Sequence, residues 1–66
     1  MMLTVNDKEH ELADGSSVRD LVVTLGLADA PVAVEVNRQL VPRSEHETER
    51  LHDGDRVEIV TLVGGG

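Results

Sequence analysis

The chain has 66 residues, no cysteine, no Phe, Tyr or Trp, and a formal net charge of −7 from 13 acidic and 6 basic side chains. That is one domain near the lower size limit, with no disulfide or thiolate metal site to staple it; a core of Val, Leu, Ile, Ala and Met, each worth about 1.5–3 kcal/mol when buried, leaves no room for an enclosed active site, which argues against a self-sufficient enzyme. The acidic balance repels phosphate backbones and anionic lipid, so nucleic acid and membrane are poor partners and a basic docking face is a good one.

Met1, Leu3 and Val5 alternate in apolar phase and predict a first strand with one buried face. Asn6-Asp7 predicts a two-residue hairpin turn, since both residue types tolerate positive φ. The returning strand, Lys8 to Leu12, then places His10 opposite Leu3 and Leu12 opposite Met1, with the His10 ring covering the sheet margin. Asp14-Gly15 ends the hairpin. Ser17 with Asp20 forms a Ser-x-x-Asp capping box, Ser16 being the alternative cap. Val18, Leu21, Val22 and Leu25 then recur at helical spacing as one apolar stripe. Gly26 falls where a left-handed C-cap belongs, Leu27 can close the cap, and Pro31 keeps the helix from resuming.

Val32, Val34 and Val36 alternate with Ala33 and Glu35 as a further strand. Asn37-Arg38 is a turn, and Gln39 to Val41 a short strand stopped by Pro42. Arg43 to Arg50, with Glu45, Glu47 and Glu49, is expected as a surface loop with a helical turn. Asp53-Gly54-Asp55 is a turn before a last strand from Arg56 to Val63. The fold class is therefore α+β, a mixed four- to five-stranded sheet packed on one helix. The right-handed crossover rule places the last strand beside the first, in parallel, mid-sheet. This is the β-grasp, or ubiquitin-like, architecture, with a domain over residues 1–63 and a flexible glycine tail over residues 64–66. No 18-residue apolar run is present and Met1-Met2-Leu3 is followed by polar residues, so neither a signal peptide nor a membrane span is expected, and the expected location is cytoplasmic.

Gly64-Gly65-Gly66 is the lead site. Glycines stabilise no core, but they form a slim peptide able to thread a narrow channel, about 10 Å long when extended. Its terminal carboxylate is inert until activated, and the chain has no phosphate-cradling loop with which to do so, so activation must come from a partner. Val60 and Leu62 are apolar on the parity opposite to Val57 and Ile59. Either they form an exposed docking strip near the tail, or a bulge returns them to the core. The Asp53-Gly54-Asp55 run lacks the further ligands of a calcium loop, and His10, His46 and His52 share no metal-ligand spacing. Neither a metal site nor a catalytic residue is assigned.

Three stretches carry a family resemblance: Val36-Asn37-Arg38-Gln39-Leu40-Val41-Pro42-Arg43, Leu51-His52-Asp53-Gly54-Asp55-Arg56-Val57, and Leu62-Val63-Gly64-Gly65-Gly66. Together they resemble the ThiS family of sulfur carriers from thiamin biosynthesis. The Asp-Gly-Asp turn and the diglycine end are shared with the molybdopterin synthase small subunit, whereas Asn37 through Arg43 is closer to ThiS. The resemblance implies that Gly66 is adenylated by a ThiF-type activating enzyme using ATP and magnesium, with Gly64 and Gly65 recognised by the partners. Sulfur traced to a cysteine desulfurase then converts the adenylate to a thiocarboxylate, which delivers sulfur to a ThiG-type thiazole synthase. It implies no cofactor on this chain and a carrier, monomeric when free, that is a co-substrate rather than an enzyme. Family members often carry an aromatic residue after the Pro-Arg pair, and Ser44 to Arg50 has none. The competing roles are a ubiquitin-like modifier joined to lysines, a sulfur carrier for molybdopterin or cysteine synthesis, and a non-covalent regulatory module.

Overall fold

The computed structural model describes residues 1–62. Asn6 and Asp7 adopt φ of 48° and 68°, the left-handed pair whose twist matches that of a hairpin. They join β1 (Met2–Val5) to β2 (Lys8–Glu11), antiparallel with Leu3 opposite His10, and His10 is half-buried on this edge strand. Asn37 and Arg38, at φ 51° and 69°, repeat the device between β3 (Val32–Val36) and β4 (Gln39–Val41). The last strand, β5 (Arg56–Thr61), pairs in parallel with β1 and antiparallel with β3. The five-stranded order is β2-β1-β5-β3-β4, so β5 lies at the centre, the place the crossover rule favours. It ends two residues earlier than the alternation implied. Leu62 has left the ladder, its N–H donating to the Pro31 carbonyl at 2.8 Å, and Val63 lies outside the described residues.

One helix, α1 (Val18–Thr24), covers one sheet face with Val18, Leu21 and Val22. Its N-terminus closes as a capping box: the Asp20 N–H donates to the Ser17 hydroxyl at 3.1 Å and the Ser17 N–H to the Asp20 carboxylate at 2.9 Å. The backbone hydrogen bond from Ser17, and then that from its hydroxyl, hold the Asp20 carboxyl below the usual carboxylate range; slight burial opposes them and the Arg50 charge adds to them. Ser16 instead turns its hydroxyl to the Ala13 carbonyl. At the other end Gly26, at φ 77°, donates to the Val23 carbonyl and Leu27 to the Val22 carbonyl, each at 3.0 Å, which is the Schellman pattern.

The core joins the helix stripe to Leu3, Val5, Val34, Val36, Val41, Val57 and Ile59 from the sheet, with Leu51 from the last loop. The acidic segment after Pro42 is the expected surface loop with a helical turn, except at His46. A 3₁₀ turn over Arg43–Glu45 is present, but His46 is only 6% exposed, and its Nε2 meets the Val41 carbonyl at 3.1 Å. The reason lies in the helix. The first N–H groups of α1 have no intrahelical acceptor, and the Glu49 and His46 carbonyls supply them, to Val18 at 3.0 Å and to Arg19 at 2.8 Å. An isolated bridge between Ser17 and Arg50 and the bond from Leu51 N–H to the Ser16 carbonyl complete the seam.

Candidate functional site

The strand that leads towards the glycines is held from both flanks by ladders, to which two turn asparagines add side-chain hydrogen bonds. Where β1 ends, the Asn6 carboxamide continues the pairing: its Oδ1 accepts from the Ile59 N–H at 2.8 Å and its Nδ2 donates to the Ile59 carbonyl at 3.0 Å. A side-chain amide here does what one more residue of parallel strand would do. Across the sheet Asn37 accepts from the Arg56 N–H at 3.0 Å and donates to Asp55 at 3.0 Å. The residues that favour each turn by tolerating positive φ thus also clamp β5.

Alternation along β5 points Val57 and Ile59 to the helix and leaves Val60 and Leu62 outward, 59% and 52% exposed. The bulge alternative fails, because pairing with β3 runs unbroken from Val36 opposite Val57 to Val32 opposite Thr61. Leu40, 65% exposed, belongs to the same outer face, which the sequence reading overlooked. Its signal was available: once Val41 is core, its neighbour in the edge strand must face out. Ala33 lies opposite Val60, and Glu35 lies opposite both Glu58 and Leu40. The outer face therefore presents an apolar strip interrupted by two facing carboxylates. Like charges directly opposite are unfavourable, and Arg56 relieves this one, its Nε 3.8 Å from Glu58 and its guanidinium also paired with Asp7. Exposed Met2 lies towards the other end of β5, where its carbonyl accepts from Gly54.

The carboxylates of the Asp53-Gly54-Asp55 turn are spent on backbone N–H groups and, for Asp55, on the Asn37 amide as well. Asp53 accepts from the Met2 N–H at 2.7 Å and Asp55 from the His52 N–H at 2.8 Å. His10, His46 and His52 are scattered, and among the described residues no group of three His, Asp or Glu side chains is placed to hold a metal ion. Gly64, Gly65 and Gly66, the expected tail and reactive end, lie outside the described residues.

A family model described as the ThiS family matches residues 2–66. The chain belongs to the ThiS family. The sulfur carrier protein ThiS of Escherichia coli is 30% identical over 66 residues, all of both chains. That of Bacillus subtilis is 33% identical, the match covering 98% of this chain and all of the other. The crystal structure of the thiamine biosynthesis protein ThiS from Geobacter metallireducens superposes with a TM-score of 0.84 at 36% identity, both chains fully covered. A thiazole synthase of Paramagnetospirillum magneticum is 38% identical over all 66 residues, and the chain spans only 20% of that protein's length. A second thiazole synthase, from Magnetococcus marinus, is 33% identical over all 66 residues, again with the chain spanning 20% of that protein's length. In this ThiS-family member the stretch from Asn37 to Arg43 is architectural: a left-handed turn, an edge strand, and a proline whose carbonyl accepts from Glu45 at 2.8 Å.

Proposed function

We propose that the chain is a sulfur carrier of thiamin biosynthesis and that the Gly66 carboxylate is the group that carries the sulfur. The observation behind this reading is the end-to-end match, glycines included, with sulfur carriers of the ThiS family, on a fold whose central strand is the last described element. The thiocarboxylate chemistry follows from general reactivity. A carboxylate is a poor acyl donor; once its oxygen has displaced pyrophosphate from ATP, the acyl-adenylate is open to attack, and a sulfur nucleophile displaces AMP. ATP and magnesium belong to the activating partner, a ThiF-type enzyme, and the sulfur comes through a cysteine desulfurase. The chain itself acts as co-substrate.

The acceptor is a ThiG-type thiazole synthase. Two thiazole synthases contain a stretch 38% and 33% identical to the whole of this chain, which favours that acceptor over a molybdopterin or cysteine pathway. Docking uses the outer sheet face: Val60 and Leu62 with Leu40 supply apolar area, and Glu35 and Glu58 supply charge for a basic partner surface. Gly64 and Gly65 pass through the partner's channel because they lack side chains. Complementation tests the reading. A chain lacking Gly66 should retain the fold and fail to rescue a thiamin auxotroph deprived of its own carrier. Full rescue by the shortened chain would refute the assignment and favour a non-covalent role, and covalent adducts through Gly66 to lysines would favour a modifier.

A further inference from the structure

Beside the buried His46, away from the outer sheet face, α1 and the 3₁₀ turn enclose a cleft of about 370 Å³ lined by Arg19, Arg43, Ser44, His46 and Glu47. Two of the chain's six basic side chains meet there in a molecule of net charge −7. Among the described residues neither guanidinium forms an ion pair, although acidic side chains are abundant. Two like charges share this cleft with one carboxylate, Glu47, and form no ion pair with it, so an anion joining them would relieve their repulsion.

The cleft is also organised. Arg19 is half-buried, its Nη1 donates to the Ala28 carbonyl at 3.2 Å, and its own N–H is tied to the His46 carbonyl. That leaves the other donors of the fork without a protein partner among the described residues, on a side chain that lines the cleft. Arg43 and Ser44, also on the lining, are exposed and donate no side-chain hydrogen bond among the described residues. His46 forms a floor already fixed on the Val41 carbonyl. We propose that this cleft binds the phosphate group of a small molecule. Two guanidiniums and a hydroxyl match a dianion with several oxygens, whereas a single carboxylate would leave one guanidinium unmatched. The volume sits at the low end of the range for small-molecule sites, about 300–1,000 Å³, and is too small to seat a folded element of a partner. Glu47 forms an acidic wall that weakens any anion and limits the site to modest affinity.

The test is an NMR titration of the full chain with inorganic phosphate, at mildly alkaline pH and at ionic strength held constant with sodium chloride. Saturable shifts should appear at the Arg19 and Arg43 side-chain N–H groups and at the Ser44 amide, but not at Arg38. Arg43→Gln, an exposed change that leaves the fold alone, should weaken binding about ten-fold, the loss expected for one charge-assisted contact. Glu47→Gln should tighten it, while Glu9→Gln on β2 should not. Shifts that stay linear, that are equal at Arg38, or that survive Arg43→Gln overturn the site. Saturation by acetate as tight as by phosphate would overturn the phosphate assignment.

Discussion

Replacing Asn6 by alanine should be among the most damaging single changes outside the apolar core. Its carboxamide makes two hydrogen bonds to the Ile59 peptide, at 2.8 and 3.0 Å, in a partly buried position. Each is worth about 1 kcal/mol net, and more where the orphaned backbone group cannot reach water. Alanine would also sit at φ 48°, where a residue with a Cβ and no local polar partner is disfavoured by about 1–2 kcal/mol. The loss expected is about 3 kcal/mol, from a domain whose total stability is about 3–10 kcal/mol at this size. Urea unfolding, with intrinsic far-UV circular dichroism as the signal, reads it directly. Asn6→Gly separates the two causes: glycine relieves the backbone penalty and keeps the lost bonds, so it should fall between wild type and alanine. A glycine variant as stable as wild type would show that the amide clamp contributes nothing. An alanine variant within about 0.5 kcal/mol of wild type would refute both parts of the reasoning.

Other changes probe the helix and the docking face. Ser17→Ala removes a cap at a 3% exposed position and should cost about 1 kcal/mol in urea unfolding. Because Asp20 titrates lower in the folded chain than unfolded, its contribution is present above its unfolded value of about 3.9 and is lost as pH falls through the folded one. Asp20→Asn should therefore flatten part of the fall in stability below about pH 4, and an unchanged acid limb would contradict this. Gly26→Ala meets no steric obstacle, since nothing lies within 4 Å of the added Cβ, so the expected loss of about 1 kcal/mol, read as a fall in Tm of about 4–8 °C, is purely one of backbone conformation. Pairing Leu40→Ser with Val60→Thr should raise the KM of the activating enzyme for the carrier about ten-fold while leaving Tm within a few degrees; an unaltered KM would remove the outer face from docking.

Much of the fold was legible because local signals agreed with each other. The alternation of Met1, Leu3 and Val5, the Ser17–Asp20 box and Gly26 each point to a single local structure, and the crossover rule then favours the central place for β5. Three things were not legible, each for a tertiary reason. The segment around His46 reads as solvated because its acidic side chains do point outward, while its carbonyls are recruited by the start of α1. The second role of Asn6 depends on Ile59, 53 positions away. Leu40 becomes legible only once Val41 is known to be core, because a three-residue strand carries no periodicity of its own. At the site, the family and the parity of Val60 and Leu62 opposite to Val57 and Ile59 were readable from residue order, but the choice between exposure and a bulge needed the unbroken pairing with β3, and the Arg19–Arg43 cleft depends on the packing of a loop against a helix and left no pattern in the chain.

The most direct trial of sulfur carriage is intact-mass spectrometry of the chain after incubation with a ThiF-type enzyme, ATP, magnesium and a sulfur source. The mass should rise by the replacement of one oxygen with sulfur, and fragmentation should place the change on Gly66. An unchanged mass in the presence of an enzyme that thiolates a known carrier, or a sulfur found on any other residue, would contradict it.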